Sequence, residues 1–457
     1  MKTRRFFSVF FCLLLALSLA VPAQAEEGDI GDWEVEAKAA LLADPDTGEV
    51  LYARNIHERL YPASTTKVMT ALLVLEAVDR GELALDTVLT ASETAIANLP
   101  PDGSNAGIQV GEELTVEQLL NCIIVVSANE AADILAEGVA GSIDAFVERM
   151  NQRAAELGCT DTHFANTNGL QSVDHYTSAW DLYLIAQEAM THEIFMRICG
   201  IKSFQIPPTN LSSDTRTYYT TNYLIDHHRN ASYLYDGATG IKTGSTSDAG
   251  YCLVASATRG ERTLVSVVLG AERVTLEDGT QDTKSFSETV RLFDWGFDQF
   301  SRQVILAEDE LVDEVPVALS QEQNSVKVHP AEAVERLIPN NLALEDIQRT
   351  ITLDQEEVDA PVSAGQKLGE ITLSYGDTVY ATVDLLADED VSASRLLVFQ
   401  RDLIEFFQRP VVRISAAAVA GLIVLLIILR LVMGSRRRRY GRGYRGNRSG
   451  GYRGRRR

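Results

Sequence analysis

The sequence predicts an α+β fold carried on an exported, membrane-tethered chain. Residues 30–300 interleave strand-like and helix-like apolar patterns. Residues 301–395 change to the short alternating runs of a β-rich domain. A 23-residue apolar segment, 411–433, then stands near the C-terminus.

The N-terminus reads as a signal peptide over residues 1–25. Lys2, Arg4 and Arg5 form a charged end, Phe6 to Ala20 is an apolar run too short to span a bilayer, and Ala23-Gln24-Ala25 fits a small-x-small cleavage site. The mature chain is expected to begin at Glu26, outside the cytoplasm.

Within 30–300, Lys38–Ala43 and Glu49–Arg54 read as two strands around the turn Asp44-Pro45-Asp46-Thr47-Gly48. Ser64–Val78 is apolar on nearly all sides, the mark of a buried central helix. Thr115-Val116-Glu117-Gln118 is a capping-box helix start. Ala249–Ala257 and Arg262–Gly270 read as apolar strands joined at Arg259-Gly260. Phe286, Val290, Phe293 and Phe297 recur at helical spacing and predict a closing helix on the sheet.

In 301–395, Glu370-Ile371-Thr372-Leu373 and Thr378–Val383 alternate between turn residues and predict a small acidic β domain, a spacer without a catalytic constellation. The 23 residues of 411–433 give about 35 Å of helix, enough to cross a hydrocarbon core. Arg413 and Arg430 bracket the uncharged centre Ile414–Leu429 and must reach the interfaces. Residues 434–457 hold 11 Arg and no acid, and should form a disordered Arg/Gly-rich cytoplasmic tail facing anionic lipid.

The 457 residues are 46% apolar, ample for a large core, with a formal charge of −23. Outside the tail, 30 basic residues face 64 acidic ones. So acidic a body argues against nucleic acid as a partner. Cys122, Cys159, Cys199 and Cys252 remain after the signal; three pairings are open to them, and their apolar neighbours favour buried free thiols. No CxxC or HExxH spacing occurs, so neither metal nor cofactor is expected.

Three motifs carry chemistry. Ser64-Thr65-Thr66-Lys67 is S-x-x-K, Ser127-Ala128-Asn129 is S-x-N, and Lys242-Thr243-Gly244 is K-T-G. Together, in this order, they form the set of serine β-lactamases and penicillin-binding proteins. The physics agrees. A serine hydroxyl needs an adjacent base, and a lysine three residues on shares its helix face. Lys67 serves as base only when neutral, and burial or a nearby cation such as Lys242 lowers a lysine pKa. Ser64 at the helix start offers its own N–H to an oxyanion. Ser127 can relay a proton to the leaving amine. Asn129 can both donate to and accept from a peptide backbone. Lys242 and Thr243 can bind a substrate carboxylate, Gly244 permits close backbone approach, and the N–H of Ser245 is the natural second oxyanion donor.

The first 300 residues resemble the low-molecular-mass penicillin-binding proteins of the D-alanyl-D-alanine carboxypeptidase type. The resemblance rests on Tyr61–Lys67, Asn166-Thr167-Asn168-Gly169-Leu170, His175-Tyr176-Thr177-Ser178-Ala179, Gly240–Thr246 and Ala249-Gly250-Tyr251. Region 301–395 is similar to the same family's β-rich second domain, on less specific motifs. The resemblance implies a serine transpeptidase/β-lactamase fold with a central antiparallel sheet of five strands between helices. It also implies removal of D-alanine from peptidoglycan stem peptides and inhibition by β-lactams that acylate Ser64. Many relatives end in an amphipathic interfacial helix, whereas 411–433 reads as fully spanning.

A β-lactamase shares the nucleophile but must release its acyl group quickly, and class A enzymes use a glutamate and a water for that. Asp161–Gln171 contains no Glu, which predicts slow release of penicillin. Only the resemblance separates a transpeptidase or D,D-endopeptidase from a carboxypeptidase. An inert peptidoglycan-binding module is the non-enzymatic alternative. Elsewhere, His227 and His228 read as surface or loop residues, His163 as structural, and Arg262 as a solvated turn arginine rather than a carboxylate ligand.

Overall fold

The computed structural model describes residues 34–97, 99–100, 103–226, 230–376 and 378–439. The signal peptide, His227-His228 and the tail beyond residue 439 lie outside them. The chain packs as two compact units divided at Ile305/Leu306, apart from Val334–Gln348 and Leu373–Tyr380, which group with the first.

The first unit is built on a five-stranded antiparallel sheet. Its strands are β1 (Ala39–Ala43), β2 (Val50–Arg54), β3 (Ala238–Thr246), β4 (Gly250–Arg259) and β5 (Arg262–Ala271), in the order β2-β1-β5-β4-β3. The pleat sends alternate side chains to opposite faces. Ala39, Leu41 and Ala43 of β1 join a helical core on one side; Ala40 and Leu42 join a second core on the other. The first face carries α1 (Lys67–Asp79), α2 (Val116–Val125), α3 (Asn129–Ala140) and α4 (Ala179–Met190). The second is closed by α5 (Lys284–Gln299), whose Phe286, Phe293 and Phe297 pack there as their spacing predicts.

Helix α1 is the buried central helix expected from its composition: every residue from Lys67 to Leu75 is buried. Thr115 and Gln118 form the reciprocal capping box that starts α2. The β4–β5 turn lies at Gly260-Glu261, one residue beyond the expected place, because Gly260 supplies the positive φ of 68° that the turn needs. All four described cysteines are free and buried. Arg262 departs from the solvated-turn expectation. Its guanidinium donates to the carbonyls of Phe297 (2.6 Å) and Phe300 and lies 5.0 Å from the Phe297 ring, so it finishes the C-terminal end of α5.

Beyond residue 305 the chain is β-rich. Strands β6 (Asp313–Ala318), β7 (Ser325–Pro330), β8 (Gln348–Leu353), β9 (Val358–Asp359), β10 (Lys367–Tyr375) and β11 (Thr378–Ala387) form one sheet in the order β8-β10-β11-β7-β6-β9. Two helices follow, α6 (Arg395–Gln408) and α7 (Pro410–Arg439). Pro410–Leu431 is long and apolar enough to cross a membrane. Helix α7 runs on to Arg439, into the segment expected to be disordered. Arginine is a good helix former, and extending an existing helix avoids the cost of nucleation.

Candidate active site

The nucleophile motif does not begin the α-helix directly. Ala63–Thr66 forms a 3₁₀ turn that feeds α1, and Ala63 holds a φ of +47°. Two hydroxyls tighten the turn: Thr65 Oγ1 donates to Pro62 O (2.6 Å) and Thr66 Oγ1 to Ala63 O (2.8 Å). Such local bonds compete with the wider α spacing. Ser64 therefore precedes the helix in which Lys67 is the first residue, and Lys67 Nζ still stands 3.1 Å from Ser64 Oγ.

Lys67 is completely buried. Its Nζ also meets Asn129 Oδ1 at 2.8 Å and the Asn168 carbonyl at 2.6 Å. Burial, then the nearby Lys242 cation, hold this amine well below the usual lysine range. A neutral amine has two N–H donors and one lone pair. The two shorter contacts take the donors, which leaves the lone pair for the hydroxyl proton of Ser64.

Asn129 is the first residue of α3, and its N–H donates to Ser104 O (2.9 Å). Two residues earlier, Ser127 holds a φ of +65° in the connection between α2 and α3. Ser127 is 4% exposed, and its Oγ has no hydrogen-bond partner among the described residues. A buried, unpartnered hydroxyl on a residue at positive φ makes Ser127 a candidate functional position.

Strand β3 is the edge of the sheet and closes the other side of the site. Lys242 is 1% exposed, and its Nζ donates to Thr243 O (2.8 Å). Burial pushes its amine down to about 7. The hydroxyls of Thr243 and Thr221 meet at 2.7 Å, and Thr221 N–H donates to Val125 O (3.0 Å), two residues before Ser127. Gly244 packs on the nucleophile turn itself. A β-carbon there would lie 2.9 Å from Ser64 N and 3.0 Å from Pro62 O. Its glycine lets the strand approach the protein's own nucleophile turn. Ser245 follows and is exposed.

Contacts join Ser64 to Lys67 and Lys67 to Asn129, set Gly244 against the Ser64 turn, and link Thr243 through Thr221 to Val125, two residues before Ser127. The sequence reading gave no role to Asn168, Asp133, Thr66 and His175. Asn166 Oδ1 accepts from Gly169 N–H (2.7 Å) and shapes the loop that aims the Asn168 carbonyl at Lys67. Asp133 accepts hydrogen bonds from Thr167 and from Asn168 Nδ2 (3.5 Å), and burial raises its carboxyl to about 6. Its only sequence signal is its place one turn after Asn129 on α3. His163 is structural, with Nδ1 2.5 Å from Asp174 O.

A serine beside a buried amine and a lysine-bearing strand edge packed on the serine's turn are the parts of a serine acyl-transfer enzyme. Residues 23–273, more than half of the chain, match the family described as D-alanyl-D-alanine carboxypeptidase. The chain belongs to this family. Carboxypeptidase membership makes it a serine hydrolase, and residues 300–393 match the C-terminal domain of penicillin-binding protein 5. The chain is 32% identical over 399 residues to the D-alanyl-D-alanine carboxypeptidase DacF of Bacillus subtilis, covering 87% of this chain and 97% of that one. Among solved structures, penicillin-binding protein 5 from Haemophilus influenzae aligns with a TM-score of 0.62 at 28% identity, covering 79% of this chain and 99% of the other. The carboxypeptidase DacD from Francisella tularensis aligns at 0.65 and 25% identity, covering 80% and 95%.

Proposed function

We propose that the chain removes the terminal D-alanine from peptidoglycan stem peptides through an acyl-enzyme on Ser64, and that β-lactams trap the same intermediate. The reading rests above all on the fully buried Lys67, whose amine reaches Ser64 Oγ, Asn129 Oδ1 and Asn168 O together.

Lys67 Nζ takes the Ser64 proton as Oγ attacks the penultimate carbonyl. The N–H groups of Ser64 and Ser245 receive the oxyanion. Ser127 passes the proton to the departing D-alanine nitrogen, which its unpartnered hydroxyl leaves it free to do. Lys242 and Thr243 bind the terminal carboxylate, and the Asn129 amide engages the peptide backbone. Water then releases the shortened peptide. Incubating the chain with a pentapeptide ending in D-Ala-D-Ala tests this: free D-alanine without cross-linked product supports a carboxypeptidase, and cross-linked product a transpeptidase.

We further infer that the chain sits on the outer face of the cytoplasmic membrane with its basic tail inside. Helix α7 supplies the span. Helix α6, one residue before it, exposes Leu396, Phe399, Leu403, Phe406 and Phe407 at helical spacing, a face suited to the outer headgroup region. On this reading an interfacial helix precedes the spanning one. Protease added outside intact cells should spare the tail and digest the body; loss of a tail tag would reverse the orientation.

A further inference from the structure

His175 lies beneath the nucleophile turn and takes no part in the chemistry above. Its side chain is 1% exposed. The Ala165 N–H donates to Nδ1 (3.0 Å), so the ring proton sits on Nε2. Nε2 stands 2.7 Å from Thr66 Oγ1 and donates to it. Thr66 Oγ1 in turn donates to Ala63 O (2.8 Å). Every donor in this chain has one acceptor, with a single consistent direction from Ala165 to Ala63.

The end of the chain matters because of what shares its peptide plane. The Ala63 carbonyl and the Ser64 N–H belong to one peptide group, and a planar trans peptide points them in opposite directions. Fixing the oxygen therefore fixes the N–H. The oxygen is held on a second side by Gly169, where a β-carbon would come within 1.8 Å of it. Ala63 itself stays at φ +47°, a region costly for a residue with a β-carbon, so the peptide needs outside support.

We propose that His175 is a positioning residue that, through Thr66 and Ala63, aims the Ser64 N–H at the oxyanion. The inference rests on the acyl-enzyme reading of Ser64 given above. The surroundings of the imidazole fit a neutral ring: it is buried, which opposes the charged form, and the Phe164 ring lies 5.7 Å away. An imidazolium would set Nδ1–H against the Ala165 N–H, two donors facing each other, and break the chain at its first link.

The test uses the full-length chain in detergent and a fluorescent penicillin, with the acylation rate constant and the preceding dissociation constant measured separately. Thr66→Val keeps the shape and removes the hydroxyl; Thr66→Ser keeps the hydroxyl; His175→Phe removes both ring contacts. Thr66→Val and His175→Phe should slow acylation on the order of 10- to 100-fold with little change in the dissociation constant. Thr66→Ser should recover most of the rate. The double variant should be no slower than the worse single, because the two residues act as one unit. Wild-type rates in Thr66→Val, or a Thr66→Ser as slow as Thr66→Val, overturn the proposal, and both outcomes stand even where His175→Phe does not fold. An unlabelled wild-type chain instead overturns the acyl-enzyme reading and takes this inference with it.

Discussion

Gly244 stands so close to Ser64 that a β-carbon at position 244 would lie 2.9 Å from the Ser64 backbone nitrogen. The obstacle is backbone on a turn held by Thr65 and Thr66, so it cannot swing aside. Gly244→Ala should push β3 off the turn, cost about 1–3 kcal/mol and slow acylation at least tenfold. A melting curve and a penicillin-labelling rate measured on one preparation check both effects.

Lys67→Arg is expected to be worse than its charge suggests. Guanidinium stays protonated in proteins and has no lone pair to offer Ser64. The rate of acylation should fall by roughly 10²- to 10⁴-fold, the range of a lost general base. Stopped-flow acylation measures it, and a loss under tenfold would remove Lys67 from the base role.

The pH profile should be a bell. Lys67 must be neutral, so the rate falls as pH drops through its lowered pKa. Lys242 must be charged to bind a carboxylate, and burial sets it at about 7, so affinity for the peptide weakens as pH rises past that value. Lys242→Arg keeps its charge and should carry the alkaline limb upward. An alkaline limb unmoved by that change would assign it to another group.

Much of this site is legible in the sequence because its parts are local. Ser64 and Lys67 share a turn, Ser127 and Asn129 a connection, and Lys242 to Ser245 one strand. Fold class was legible for a similar reason: the continuous apolar runs of β4 and β5 and the helical spacing of Phe286, Phe293 and Phe297 depend on near neighbours. Asn168 was not legible as a lysine partner, because its carbonyl does the work and any residue has a carbonyl. Asp133, Thr66 and His175 act on backbone or side chains up to 109 positions away, which no local pattern reports. Arg262 was misread because the carbonyls it caps belong to the end of α5.

Two buried groups should offset each other in acid. His175 is pushed down to about 4 from 6.5, so stability present above pH 6.5 is lost as pH falls toward 4. Asp133 is raised to about 6 from 3.8, so its contribution runs the other way, present at low pH and lost as pH rises through 6. Each is worth roughly 3 kcal/mol over this window. The wild-type chain should therefore change little from these two between pH 7 and 4. Asp133→Asn removes one side and should lose roughly 3 kcal/mol more than wild type on acidification, read by denaturant melts at both pH values. Equal acid losses in the two chains would contradict the offset.

The most direct measurement is peptide mass spectrometry of the full-length chain after exposure to benzylpenicillin. The expected result is a single penicilloyl adduct on Ser64, slow to disappear, and absent from Ser64→Ala. An adduct on any other residue, or none on a folded chain, would contradict the acyl-enzyme role of Ser64.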